Sequence, residues 1–479
     1  MGDLKRVYLV AACLTLALSA VACTSVDQRL NADDVPLEAR RHNDTRAALS
    51  AEPPPPAATR DLALRPATGP AGQLFDVGTG AAHDGYFVGI SISGGGSRSA
   101  NFSAACLFQL EQLGLLQRAD YISSVSGGSL TAAYYCAALD DEWTPANVQH
   151  RLTHAFATDV LVNTLLPWNW IPLALTDWDR SDLLADTFRD NLFSRDRTPL
   201  TFGDLRPDRP RLLINATDLQ SGRGFVFCNE TFDQLNADLS AYPLAPAVAA
   251  SSAVPVLLHQ VTLRDFSTVF KQYRHLVDGG VVDNLGVKTL VETYRAQLKS
   301  SGGRAYPRGA VFIVIDARTQ YDARISDRGD TSLLESLEFG AGVTSTVLLN
   351  RASSATLAEI ILDSAPDNVD AATLRRERDA LINGGYVKLE NVEGRPVYVL
   401  HLALSRVNDL SDLPFKSFNE TVNNIATYFN ISDTETYHLY QAAQLLVDRR
   451  YPAELRAISE ELNGHPASAP ATAPVTTRP

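Results

Sequence analysis

The chain has 479 residues, 45% of them hydrophobic and 20% charged, a balance that supplies a large apolar core and excludes a mostly disordered chain. Its formal net charge of −13 argues against a nucleic-acid partner, because replacing phosphate counterions takes basic surface; membrane contact stays open if it is apolar or local. The five cysteines, at positions 13, 23, 106, 136 and 228, form no CxxC pair and keep no regular spacing, so neither a zinc site nor a disulfide scaffold is indicated.

The N-terminus has the layout of an export signal. Lys5 and Arg6 precede an uncharged apolar run over residues 7–22 (VYLVAACLTLALSAVA), too short for a comfortable membrane span. The small residues Ala20 and Ala22 then stand before Cys23. Ala20-x-Ala22 suits ordinary signal peptidase. A cysteine directly after the cut also resembles the bacterial lipobox, although Ala20 sits where that motif usually carries leucine, and an uncleaved signal-anchor is a third reading. With residues 1–22 as the signal, the lipobox resemblance implies acylation of Cys23. Thr24 in place of aspartate then implies sorting to the outer membrane of a Gram-negative bacterium; without the lipid the protein is periplasmic or secreted. Residues 23–80, with four prolines at 53–56 and no sustained apolar period, form a stiff tether. Residues 463–479 are an Ala/Pro/Thr-rich tail with nothing to bury. Residues 81–462 show no internal repeat and no second linker, and are expected to form one large domain.

Within that domain strand-like and helix-like stretches alternate. Residues 86–93 (YFVGISIS) predict a strand running into a glycine cluster, and 101–117 carry apolar residues at helical spacing. Residues 121–125 predict a second strand and 129–139 a second helix. Further short strands are expected at 211–216, 225–228, 275–277 and 311–315, with the last at 397–404. Continuous rather than alternating apolar strands, interleaved with helices, indicate an α/β fold: three layers, α/β/α, around a mainly parallel central sheet. Ligand sites in such sheets lie beyond the carboxyl ends of the strands, where the two best motifs fall.

The first motif is Ser93-Gly94-Gly95-Gly96-Ser97-Arg98. Three glycines allow a sharp turn that aims successive amides at one spot, and the helix after them adds its positive end; such a loop binds a phosphate or an oxyanion. No lysine follows for a phosphate loop, and Ser99 breaks the dinucleotide pattern. The plainer alternative is a tight turn without a ligand. The second motif, Ser124-Val125-Ser126-Gly127-Gly128, resembles the nucleophile elbow GxSxG with Ser124 replacing the first glycine. Its plainer alternative is a helix-capping serine.

A serine nucleophile needs a base. None of the nine histidines sits in a convincing loop after a terminal strand, although His401 stays in play for a Ser–His triad. Asp278-Gly279-Gly280, directly after a strand-like stretch, places a carboxylate on the same rim, where an apolar pocket would raise its pKa and let it take the serine proton. An ordinary Asp-Gly turn is the alternative. Asp283 is a rival base that lacks the trailing glycines.

A GGGxR loop, an elbow about 30 residues later and a distant DGG together resemble the patatin-like phospholipase family. Asn215-Ala216-Thr217-Asp218 with Gly222, Ala250-Ser251-Ser252-Ala253-Val254-Pro255, and Asn284-Leu285-Gly286 are similar to its intervening segments, and the likeness covers about residues 84 to 290. The resemblance implies that 81–462 is a catalytic domain hydrolysing acyl esters of phospholipids or related lipids through a Ser126–Asp278 dyad. The amides of Gly95 and Gly96, in the loop Gly94 to Arg98, would form the oxyanion hole. It further implies that Arg98 steadies that loop or meets a lipid phosphate, and that no metal or organic cofactor is needed. Ser99 and Ser124 depart from family glycines. The alternatives are a triad esterase, thioesterase or peptidase using a histidine such as His401, and a lipid-binding lipoprotein without turnover. Residues 159–180, with Trp168, Trp170 and Trp178, suit either a membrane-facing lid or a buried helix pair.

Overall fold

The computed structural model describes residues 85–463 apart from 166–179, 256–257, 268–271, 320–356, 358–369, 392, 415–416, 426 and 428. The export signal, Cys23 with its tether, the tail beyond 463 and the three tryptophans at 168, 170 and 178 lie outside the described residues.

The chain opens with β1 (Tyr86–Ile92), α1 (Gly96–Gln112), β2 (Tyr121–Val125) and α2 (Gly127–Ala137). Helices α3 (Pro145–Leu152), α4 (Phe156–Leu165) and α5 (Arg180–Asn191) follow, then a small hairpin of β3 (Ser194–Arg195) and β4 (Thr198–Pro199). Next come β5 (Arg211–Asp218), β6 (Arg223–Phe227), α6 (Asn229–Gln234), α7 (Leu244–Ser251), β7 (Val261–Asp265) and β8 (Gln272–Asp278). The last part holds α8 (Gly280–Asp283), α9 (Val287–Ser300), β9 (Gly309–Asp316), α10 (Ala371–Gly384), β10 (Tyr386–Glu390) and β11 (Pro396–Ala403). Helices α11 (Phe418–Asn423), α12 (Asp433–Leu445) and α13 (Pro452–Asn463) close the fold.

The main sheet runs β10-β11-β9-β1-β2-β5-β8-β7, with β6 also on β5. Its centre, β11 to β5, is parallel, while β10 at one end and β6, β8 and β7 at the other are antiparallel. Successive strand side chains point to opposite faces, and here they sort into two apolar layers. Val88, Ile90, Ile92, Val311, Ile313 and Ile315 pack on one side with α1, α2, α7 and α12. Phe87, Ala310, Phe312, Val314, Val397 and Val399 pack on the other with α9. A sheet covered on both faces is what its continuous apolar strands require, and each buried Val, Ile or Phe contributes roughly 1.5–3 kcal/mol.

The expected strands are all present, several of them longer than the apolar run that announced them. Both early helices start before their expected residues. Helix α1 begins at Gly96 rather than 101 and ends at Gln112, with a separate 3-10 turn at Leu116–Arg118; α2 begins at Gly127 rather than 129. The first turns hold small polar residues that neighbouring elements bury, so hydrophobic periodicity is silent there. Strands β7 and β10 were not expected; β10 (YVKLE) alternates buried and more exposed positions, as an antiparallel edge strand does.

Candidate active site

Strand β5 brings the two motif residues together. On one edge β6 pairs continuously with residues 214–218. Asn215 pairs with Val125 of β2, and Ala216 pairs with Asp278 of β8. Since each strand has only two edges, β2 and β8 share the other one and meet end to end. The residue after Val125 is Ser126, so it stands opposite the last residue of β8.

Ser126 has φ 51° and ψ −126°, a conformation that costs a non-glycine residue roughly 1–3 kcal/mol and persists only where the surroundings enforce it. The enforcement is visible. A Cβ on Gly127 would lie 2.1 Å from the Gly96 carbonyl oxygen, so only glycine lets the elbow press against the glycine loop. The Ser126 amide donates to Ser251 Oγ at 2.8 Å, and Ser251 Oγ donates to the Asn215 carbonyl at 2.6 Å. The Ser126 hydroxyl does not cap α2, which removes the capping explanation. Ser124, the departure from the elbow pattern, is fully buried and fits where glycine was expected.

Asp278 is held from three directions. Its amide donates to the Ala253 carbonyl at 2.9 Å, its carbonyl accepts from Thr217 Oγ1 at 3.0 Å, and its Oδ1 accepts from the Gly280 amide at 2.7 Å. Burial pushes its carboxyl up to a pKa of about 6, against the opposing pull of the Gly280 amide and then of the Ser126 hydroxyl. No cationic side chain contributes to that shift. Ser126 and Asp278 are only 6% and 7% exposed, so the pair sits in a largely water-excluded spot.

The glycine loop is pinned at its base. Ser93 N donates to Ile315 O at 2.9 Å, Gly94 N to Asn284 O at 3.0 Å, and Ala317 N to Ser93 Oγ at 2.9 Å. A Cβ on Gly94 would lie 2.5 Å from Asn284 Oδ1 and 3.4 Å from Ser126 Cβ, so loop and elbow are in contact. Within the described residues the amides of Gly95, Gly96 and Gly127 donate to no other group. Ser99 donates its hydroxyl to Ser93 O and so ties the loop's two ends together.

The remaining sequence candidates separate cleanly. Arg98 is buried and donates to the Ile425 carbonyl at 2.8 Å, which ties the start of α1 to the segment after α11. Ser97 turns a buried hydroxyl away from any partner. Asp283 accepts from the amides of Leu285 and Lys288, at 3.0 and 2.9 Å, and so shapes the turn into α9. His401, the histidine of the triad alternative, lies apart from Ser126. Its Nε2 is 2.9 Å from Asp316 Oδ2, and β9 and β1 separate its strand from β2, about 14 Å at ordinary strand spacing. Among the described residues no histidine hydrogen-bonds Ser126. Cys106, Cys136 and Cys228 are free and buried. Among the described residues no cluster of His, Cys, Asp or Glu is arranged to hold a metal.

Sequence reasoning assigned no role to Ser251 or Asn215. Asn215 Nδ2 donates to Ser123 Oγ at 2.8 Å and to Ser124 O at 2.9 Å, and its Oδ1 accepts from Thr289 Oγ1 at 2.6 Å. The available signal was an amide inside the otherwise buried, apolar RLLINA run.

A strained serine, a buried carboxyl and the glycine amides thus meet at the carboxyl edge of an α/β/α sheet. The family model for patatin-like phospholipase matches residues 90–291 of the chain. Among solved structures, human GIVD cytosolic phospholipase A2 is similar at 13% identity and a TM-score of 0.43, over 79% of this chain and 63% of that one. VipD from Legionella pneumophila is similar at 12% identity and a TM-score of 0.29, over 75% of this chain and 67% of that one. The chain thus spans less than two thirds of the human structure's length. No curated protein matches the sequence.

Proposed function

We propose that the protein is a lipid acyl hydrolase that cleaves carboxylic esters through Ser126 and Asp278. The Ser126 oxygen attacks the ester carbonyl carbon while its proton passes to the Asp278 carboxylate. The carbonyl oxygen becomes an oxyanion, to which the unengaged amides of Gly95, Gly96 and Gly127 donate. As the tetrahedral intermediate collapses, the departing alcohol takes the proton back from Asp278 and leaves an acyl-Ser126 ester. Water, deprotonated by Asp278, then attacks that ester and releases the fatty acid, restoring Ser126.

The observation that carries this reading is the end-to-end meeting of β2 and β8 on β5, which sets an uncapped serine hydroxyl beside a carboxyl whose pKa is raised by burial alone. The match to a lipid-hydrolysing family supports the substrate class. The test is labelling by a fluorophosphonate probe. Wild type and His401→Ala are expected to label, Ser126→Ala not at all, and Asp278→Asn at least 100-fold more slowly, the lower end of a general base's usual contribution. Labelling that survives in Ser126→Ala, or that is lost in a correctly folded His401→Ala, would overturn the dyad.

A further inference from the structure

Strands β2 and β8 end against each other on β5, yet among the described residues no ladder joins them. β2 pairs with β1 and β5, and β8 with β5 and β7. The spacing between Ser126 and Asp278 therefore needs a further tie, and the C-terminal end of α7 supplies one. A helix leaves its last carbonyls without partners in its own ladder. That of Ser251, the last residue of α7, accepts from the Gly279 amide at 3.2 Å, and two residues on the Ala253 carbonyl accepts from the Asp278 amide at 2.9 Å. The Ser251 side chain meanwhile reaches the elbow, where its Oγ accepts from the Ser126 amide at 2.8 Å. One residue thus grips both halves of the dyad, its hydroxyl on the serine side and its carbonyl on the aspartate side.

The hydrogen-bond roles at Ser251 Oγ follow from the chemistry of its partners. A hydroxyl carries one proton and two lone pairs. The proton goes to the Asn215 carbonyl at 2.6 Å, because a carbonyl can only accept. The lone pairs then take the Ser126 amide and the hydroxyl of Ser129 on α2, which is 3.2 Å away. Oγ is saturated, and at 0% exposure Ser251 is out of reach of bulk water that could replace it. Small residues let the helix end come this close: Ala247, Ala249, Ala250, Ser252 and Ala253 are fully buried as well. Gly279 completes the close packing, since a Cβ there would lie 2.4 Å from the Asn215 carbonyl oxygen. The positive φ of Ser126 persists only where its surroundings enforce it, and Ser251 is the side chain that holds its amide. Without that bond Ser126 can relax and carry its hydroxyl away from Asp278.

We propose that Ser251 is the positioning residue of the dyad: the end of α7 sets the distance between the Ser126 hydroxyl and the Asp278 carboxyl, and the Ser251 hydroxyl keeps Ser126 in the strained conformation that faces Asp278. Its kinetic consequence rests on the hydrolase reading above, so one of two readouts needs no turnover. That readout is a carboxyl-carbon NMR titration of Asp278, assigned by difference from Asp278→Asn. The Ser126 hydroxyl favours the carboxylate, so its withdrawal in Ser251→Ala is expected to move the midpoint upward from about 6. The control is Thr131→Ala, which removes another buried hydroxyl of α2, bonded to the Ala100 carbonyl at 2.6 Å, and is expected to titrate as wild type does. The second readout is fluorophosphonate labelling per folded molecule, with kcat and KM on 4-nitrophenyl butyrate. Ser251→Ala is expected to lose roughly 10–100-fold in labelling and in kcat with KM within about twofold, the scale of a misplacement of about 1 Å. Thr131→Ala is expected to keep both rates. Ser251→Cys, with a weaker hydrogen-bonding sulfur in the same place, is expected to fall between wild type and Ser251→Ala, and it carries the test if the alanine variant does not fold. An unchanged midpoint, labelling at the wild-type rate, or an equal loss in Thr131→Ala would overturn the positioning role while leaving the hydrolase reading intact. A raised midpoint in Ser251→Ala beside a wild type that never labels would instead sink the hydrolase reading and leave the clamp standing.

Discussion

Two aspartates end two strands of the same sheet and live in opposite electrical worlds. Asp278 closes β8 and Asp316 closes β9, and both are buried. Burial works against the charge of each. Around Asp278 only the Gly280 amide and the Ser126 hydroxyl offset it, and the pKa settles at about 6. Around Asp316, Arg318 at 2.6 Å and His401 at 2.9 Å outweigh burial and hold the carboxyl well below the usual carboxylate range. A carboxylate that firmly ionised is a structural anchor, whereas one poised near neutrality can take and return a proton. The comparison also describes His401: its Nε2 is engaged by Asp316, and burial, its largest influence, lowers its own pKa.

The sharpest way to break the contrast is to neutralise each aspartate in turn. Asp316→Asn leaves the buried His401 and the half-buried Arg318 against a neutral amide, and chemical denaturation is expected to show a loss of up to about 3–5 kcal/mol, the usual cost of removing one partner from a buried ion pair. Asp278→Asn is expected to act the other way. Its folded pKa lies above the unfolded value, so the group stabilises the fold fully below pH about 4 and that stability is lost as pH rises through about 6. Near pH 7.5 the ionised, buried carboxyl therefore costs roughly 3 kcal/mol, at 1.36 kcal/mol for each of about two pKa units. The asparagine variant should be more stable by up to that amount near pH 7.5 and no more stable at pH 3.5. Equal melting temperatures for the two proteins at pH 7.5 would mean that Asp278 is not strained by burial.

Much of this was legible in the sequence. The apolar runs at 86–92, 121–125 and 309–316 announce buried strands because both faces of the sheet are covered, and Ser126 is legible because an elbow needs small neighbours. The glycine loop and Asp278 follow from their places at strand ends. What could not be read is tertiary. Arg98 finds its acceptor at Ile425, 327 residues away, outside the matched stretch 90–291, and no local pattern encodes that. Ser251 links the Ser126 amide to β5 across 125 residues, and His401 meets Asp316 across 85. The start of α1 at Gly96 was hidden because its first turn is buried by contact with the elbow rather than by apolar side chains.

The pH dependence of the fluorophosphonate labelling rate probes the poised aspartate most directly. With the probe's own reactivity subtracted, the rate should climb about tenfold per pH unit up to a single midpoint near 6 and stay level above it, in wild type and His401→Ala alike. A profile without a midpoint between pH 4 and 8, or one whose midpoint vanishes in His401→Ala, would contradict the assignment of proton transfer to Asp278.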